Sequence, residues 1–361
     1  MPEMNRTLNL GAAIREGLLE VAMRDSSVLL MAEGIADPSS VYGTTADIGK
    51  FIDPMRIIEM PVSENGLCGV AIGAALVGKR PVISFHRVEF ALLAMEQIIN
   101  NAAKSHYISN GRHKVPLVIR MIVGRGWGQG PEHSQSMEAV FSHFPGLKVV
   151  MPTYPGDGKG MIIAAVEDNN PVLMLEHRWC HYATGHVPVG YFTEPLDGPR
   201  EICNGKDVTI VATSYMTLEA VRAAEALKKM GYSATVFDLR VLRPLKLTKI
   251  FESVHQTGRL LTVDTGFKKF GIGAEIVSEV TENCFISLKS APVRLGLPDH
   301  PTPSSRGFIQ GFYTDSMSIL ISVGTMLGIP ADKIRYANAE LFAQRQELPI
   351  DVPDPFFKGP F

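Results

Sequence analysis

The feature that most constrains this chain is the texture of its apolar runs. SSVLLMAEG (26–34), RIIEMP (56–61), RPVISF (80–85), VPLVIRMIVG (115–124), LKVVMP (147–152) and PVLMLEH (171–177) are close to continuous in Val, Ile, Leu and Met. A strand with one face in water alternates apolar and polar side chains, whereas a strand covered on both faces need not. The intervening stretches carry amphipathic or apolar helix patterns, which implies parallel pairing with crossover helices. The rhythm lapses in VPVGYFTEPLDGPREICNG (187–205), rich in Pro and Gly, and then restarts. DVTIVATS (207–214), ATVFDLR (234–240), RLLTVDTG (259–266) and PVRLGLP (292–298) read as further strands. MTLEAVRAAEALKKMG (216–231) reads as an amphipathic helix capped by Gly231, and DSMSILISVGTMLG (315–328) as the last long helix. The expected class is α/β, with two parallel-sheet, three-layer domains.

The bulk numbers exclude several functions. The chain has 361 residues, 45% of them apolar and 20% charged, with a net charge of −2. That balance offers no electrostatic footprint for nucleic acid or an anionic membrane. No apolar run approaches the roughly 20 residues that span a bilayer. The start, MPEMNRTLNLGAAIREGL, lacks the basic and apolar regions of a secretory signal, and its early acids argue against a transit peptide. Four scattered cysteines (Cys68, Cys180, Cys203, Cys284) have no CxxC spacing, so the expected setting is reducing and cytoplasmic.

Ligands of open α/β sheets sit where strands hand over to helices. MPVSENGLCGVAIGAAL (60–76) puts one carboxylate, Glu64, at such a handover, ahead of a segment of small apolar residues. The acid can simply cap the helix, where the dipole and free N–H groups stabilise a negative charge. Capping does not require Gly66, Gly69, Gly73, Ala74 and Ala75, which permit close approach of another backbone or ring. VGRGWGQGPEHSQSMEAVF (123–141) alternates four glycines with Arg125, Trp127 and Gln129, and a helix is expected from about Ser134. His133 just before it suits proton transfer, or serves as a polar residue at the helix start. Three stretches carry less than they suggest. PGDGKG (155–160) resembles the opening of a diphosphate and metal motif, but YATGHV (182–187) lacks the asparagine that would close it. GFKKFGIGAEI (266–276) has only part of GxGxxG. On a strand, His177 and His181 of HRWCH would lie roughly 13 Å apart, too far for one metal.

Taken together, LNLGAAIREGL, SENGLCGVAIGAALVGKRPV, INNAAK, EHSQSMEAVFSHFPGLKVVMP, EDNNPV and FGIGAEI make the chain resemble one known family over about residues 8–330. It is similar to the β subunit of the thiamine-diphosphate-dependent E1 component of 2-oxo acid dehydrogenases, of pyruvate, branched-chain and acetoin types. The resemblance implies a transketolase-type pyrimidine-binding domain (1–190), a linker (191–205), a transketolase C-terminal domain (206–335) and a tail (336–361). In that family the glutamate matching Glu64 hydrogen-bonds N1′ of the cofactor's aminopyrimidine and promotes the tautomer that takes the thiazolium C2 proton. Phe90 matches the ring stacked on the pyrimidine, with core packing as its other reading. Val62 and His86 fall where the family lines the same pocket. His133 matches the family histidine near the thiazolium. Glu132, where glutamine is usual, would tune His133 or screen out acidic substrates. Backbone oxygens of Leu117, Ala165, Val166, Asp168 and Asn170 match a K⁺ shell found in some members.

The diphosphate half-site, with its Mg²⁺, is then expected on a separate α subunit, in an α₂β₂ heterotetramer. The implied activity is oxidative decarboxylation of a 2-oxo acid, with the acyl group passed to a lipoyl E2 protein. The alternatives are a thiamine-dependent carbon–carbon ligase or ketol transferase built on the same split site, and a non-catalytic binding module. HPTPSSRGFIQGFYTDS and the DPFFKGPF tail depart from the pattern of housekeeping members.

Overall fold

The computed structural model describes residues 6–37, 41–124, 128–345, 348–349, 352, 354 and 356–357. Arg125 and Trp127 of the glycine-dense loop, and ten residues of the 336–361 tail, lie outside the described residues.

In chain order the first half comprises β1 (Thr7–Asn9), α1 (Leu10–Arg24), β2 (Val28–Ala32), β3 (Ile57–Glu59), α2 (Glu64–Leu76), β4 (Arg80–Phe85), α3 (Ala103–Ile108), β5 (Val118–Val123), α4 (Glu138–Ser142), β6 (Lys148–Val150), α5 (Pro155–Glu167), β7 (Val172–His177) and β8 (Thr184–His186). The second half comprises β9 (Arg200–Cys203), β10 (Val208–Ala212), α6 (Tyr215–Lys229), β11 (Ala234–Asp238), β12 (Val241–Arg243), α7 (Thr248–Thr257), β13 (Leu260–Phe267), α8 (Ile272–Cys284), β14 (Val293–Leu297), α9 (Ser316–Leu327) and α10 (Ala331–Ala343).

One sheet has the order β12-β6-β7-β5-β4-β2-β3 and the other β14-β13-β10-β11-β9. All pairings within them are parallel except those of β12 with β6 and β9 with β11. Every residue of β5, β7, β10 and β11 is buried, which is why these strands carry no alternation. β1 and β8 form a separate antiparallel ribbon that ties the start of α1 to the end of the first sheet's helical layer. No helix among the described residues is long and apolar enough to cross a membrane.

α1 and α5 pack closely because two glycines remove the side chains between them. A Cβ on Gly17 would lie 2.6 Å from Ile162 Cγ2 and 2.9 Å from the Lys159 carbonyl; one on Gly158 would lie 2.3 Å from Leu10 Cδ1.

Several expectations are corrected. The helix expected from about Ser134 begins at Glu138 and is one turn long. The Gly124 amide donates to the Gln135 carbonyl (2.9 Å), which pins the preceding segment to the end of β5. His177 and His181 do not share a strand: β7 stops at His177 and residues 178–182 form a 3₁₀ turn. α9 is not the last helix, since Gly328 in the left-handed region ends it and Pro330 precedes α10. The second half of the segment expected as linker is a strand, β9, at the edge of the second sheet. β12, from the C-terminal half, adds instead to the first sheet. The tail folds back on the body: Phe357 packs edge-on against Trp179 and Tyr182, and Asp354 bonds to Tyr215 and Arg222.

Candidate functional site

The carboxyl ends of β2, β3, β4, β5 and β7 lie along one edge of the first sheet, and those of β2, β3, β4 and β7 lead into polar side chains there. β3 ends at Glu59, Pro61 stops the strand, and α2 starts at Glu64. Ser63, in the N-cap position, makes no side-chain cap. The Glu64 side chain is only 7% exposed. Among the described residues its carboxylate has no hydrogen-bond or ion-pair partner. Capping therefore does not account for it, and a buried carboxylate without a partner is costly. Nearby Glu33, at the end of β2, has its carboxyl pushed above the usual range by burial and then by the charges of Glu64 and Glu59. Glu59 is itself satisfied by the amides of Gly34 (2.6 Å) and Ala36 (3.1 Å).

β4 hands over to His86, Arg87, Glu89 and Phe90. The half-buried His86 ring lies edge-on to Tyr42 at 6.0 Å. Burial, then the Arg87 charge, holds its pKa below the usual value. Phe90 meets His133 edge-on at 5.7 Å, so two rings 43 positions apart in the chain share one wall. Val62 does not join that wall: it is 80% exposed.

His133 is positioned from β4. Its Nδ1 lies 2.6 Å from Glu89 Oε1, and its carbonyl accepts from Arg87 Nη1 at 2.9 Å. With Nδ1–H donated to the carboxylate, Nε2 is the ring atom left for proton exchange. The carboxylate that addresses His133 is thus Glu89, not Glu132. Glu132 is exposed, and its carbonyl accepts from Gln135. The FHRVEF stretch held the signal for Glu89, an acid one residue before the stacking aromatic.

The residues expected around K⁺ come together, but at the opposite, amino edge of the strands. Asp168 caps the end of α5, and Leu117 precedes β5. The carbonyls of Val166 and Asp168 accept from Arg80 Nη1 at 2.8 and 2.9 Å. The Leu117 carbonyl accepts from the Val172 amide (2.9 Å), and Asn170 donates its amide to Asp168 Oδ1 (2.9 Å). Lys148 pairs with the Asp168 carboxylate, and Ala165 is buried within α5. The Leu117, Val166 and Asp168 carbonyls thus each accept a hydrogen bond, and Arg80 and Lys148 supply positive charge at the negative end of α5.

PGDGKG opens α5, with Pro155 in its first turn. The Asp157 carboxylate is held by Arg240 (2.6 Å) and Arg200 (2.8 Å), so it is engaged structurally. At the start of α8, Asp264 accepts from the Gly273 amide (2.8 Å), so a carboxylate already occupies the place a phosphate would take in the GIG stretch. A further buried network lies beside the site. Arg120 forks onto Glu176 (2.6 and 2.9 Å) and donates to Thr44 (2.8 Å), while His181 Nε2 meets Glu176 at 2.8 Å.

The unpaired acid at a helix start and the half-buried ring of Phe90 fit an aminopyrimidine, which offers a ring nitrogen to hold and a flat face to stack on. A family model for the transketolase pyrimidine-binding domain matches residues 6–180, and one for the transketolase C-terminal domain matches 200–315. The chain is 38% identical over 291 residues to the pyruvate dehydrogenase E1 component subunit beta of Gracilaria tenuistipitata var. liui, covering 81% of this chain and 90% of that protein. It is 36% identical over 311 residues to the acetoin:2,6-dichlorophenolindophenol oxidoreductase subunit beta of Cupriavidus necator, covering 84% and 92%. Among solved structures, a split-gene transketolase described as an inactive β4 tetramer superposes with a TM-score of 0.72 at 24% identity, over 89% of this chain and 99% of that one. That last likeness concerns the fold.

Proposed function

The chain belongs to the transketolase-like family that includes the β subunits of pyruvate dehydrogenase E1 and of acetoin oxidoreductase, and on that premise we propose that it is the cofactor-activating half of a 2-oxo acid dehydrogenase E1. The observation that carries this reading is the Glu64 carboxylate, buried without a partner among the described residues at the edge where ligands of parallel sheets bind.

Thiamine diphosphate, when bound, supplies the electron sink for loss of carbon dioxide from a 2-oxo acid. Glu64 holds the proton shared with the pyrimidine nitrogen N1′, and burial keeps water from competing for it. Phe90 would stack on the pyrimidine, and His133 meets Phe90 edge-on. His133 exchanges a proton through Nε2 while Glu89 fixes the ring and its tautomer. His86, kept neutral by burial, lines the same wall.

The site is half of one. Asp157, the aspartate of this chain's GDG, is engaged by Arg240 and Arg200, so the diphosphate and its Mg²⁺ belong on an α-type subunit. Around α2, Val62 (80% exposed), Val77 (81%) and Leu93 (66%) present apolar surface that a partner would cover, in keeping with an α₂β₂ assembly. Covering it would also seal the cofactor ring from water.

The test is reconstitution with an α-type subunit, following ferricyanide reduction with 2-oxo acids. This chain alone should be inactive, and Glu64→Gln in the complex should lose at least about 100-fold in turnover with the melting temperature unchanged. A Glu64→Gln complex within threefold of wild type overturns the role given to Glu64; full turnover by the single chain overturns the split site.

A further inference from the structure

Arg178, one residue beyond β7, is a charge without a counter-charge among the described residues. Its side chain is 1% exposed. Among the described residues its Nε and Nη2 have no hydrogen-bond partner, and Nη1 reaches the amide oxygen of Gln129 at 3.4 Å. The guanidinium lies 5.3 Å from the centre of the Tyr42 ring, whose backbone is in the left-handed region (φ 56°). The acid that should serve it is already taken: both oxygens of Glu176 are engaged by Arg120, and one of them also by His181. The buried Arg87 adds positive charge nearby. Burial, then Arg87, pulls the Arg178 pKa down to about 10.

The guanidinium forms part of the wall of a cleft of about 240 Å³. The same cleft is lined by Tyr42, His181, Tyr182, the first turn of α1 and, at its rim, the exposed Arg15. The donors converging there include two arginines and the positive end of a 15-residue helix, and among the described residues no carboxylate lines it. The cleft adjoins the candidate site on two sides. Tyr42 touches both His86 and Arg178, and Gln129 belongs to the loop that carries His133.

We propose that Arg178 and this cleft form a subsite for a small oxyanion, the second anionic group of the substrate, so that the 2-oxo acid bears a carboxylate or phosphate at the end remote from its keto carbon. The proposal rests on the 2-oxo acid reading above and narrows its substrate class. Glu132 is exposed and is not among the residues that line the cleft.

The experiment compares 2-oxopentanoate with 2-oxoglutarate, equal in carbon chain and differing in a terminal carboxylate, in the complex with an α-type subunit; 2-oxo-4-phosphonobutanoate serves as the phosphate-like arm. Wild type should favour a dianion in kcat/KM by at least tenfold, the better arm telling carboxylate from phosphate. Arg178→Met should lower the dianion-to-monoanion ratio by roughly 10- to 100-fold, as expected for losing a charge-assisted hydrogen bond, with Arg178→Lys in between. Inorganic phosphate, titrated into this chain alone, should raise the melting temperature of wild type and not of Arg178→Met. Without anion, Arg178→Met should melt no lower than wild type, because an uncompensated buried charge has been removed. A ratio unmoved by Arg178→Met, or an Arg178→Met chain that melts well below wild type with no phosphate response in either, overturns the subsite and makes Arg178 a structural residue or the partner of an α-subunit carboxylate. A phosphate response that depends on Arg178, with no turnover of any 2-oxo acid, supports the subsite and overturns the reaction instead.

Discussion

Replacing Arg120 by methionine tests how the floor of the site is held up. Arg120 and Glu176 are 1% and 0% exposed, and the guanidinium forks onto both carboxylate oxygens. Methionine keeps the stem's volume and removes the charge, which leaves Glu176 buried with His181 alone. Breaking a buried pair on one side costs about 3–5 kcal/mol. The electrostatics of Glu176 point the same way. Burial would raise its pKa, but the Arg120 charge and the hydrogen bonds from His181 and Arg120 outweigh it and bring the value from 4.5 to about 2. That gap corresponds to roughly 3 kcal/mol of stability. Because the folded value is the lower one, this stability is complete above the unfolded pKa of 4.5 and is lost as pH falls toward 2. Urea unfolding at pH 7 should therefore show Arg120→Met about 3 kcal/mol below wild type, with Arg120→Met/Glu176→Gln recovering at least half. Wild type should lose stability between pH 4.5 and 2 through this pair, and the double variant should lack that part of the decline. A single variant within about 1 kcal/mol of wild type at pH 7 would refute the reasoning, since the pair could not then be both buried and coupled.

Two further outcomes follow from named contacts. Glu89→Ala should lower turnover in the reconstituted complex by about 10- to 100-fold, chiefly in kcat, and Glu89→Gln by less, because the amide oxygen can still orient His133; Glu89→Ala within twofold in a steady-state assay would remove Glu89 from the mechanism. Arg80→Met, which strips the Val166 and Asp168 carbonyls of their donor, should cost about 1–3 kcal/mol by chemical denaturation.

The class of fold was legible because burial of a strand on both faces leaves its mark residue by residue: β5 and β7 read as uninterrupted apolar runs since no position on them meets water. Glu64 stood out for a related reason, as a charge in a stretch otherwise too apolar and too small to be a surface helix. What the chain order could not supply was pairing between distant segments. Glu89 reaches His133 only because β4 and β5 are neighbours, and Arg80, at the start of β4, reaches the end of α5 some 86 positions on. β12 joins the first sheet although it follows the strands of the second, and the helix expected at Ser134 gives way to a loop pinned onto β5. Arg178 is the extreme case: in sequence it is one arginine among histidines and aromatics. Its meaning comes from burial together with an acid already claimed by Arg120, two facts that exist only once the tertiary structure has decided which charges share a dielectric and which are left without a partner.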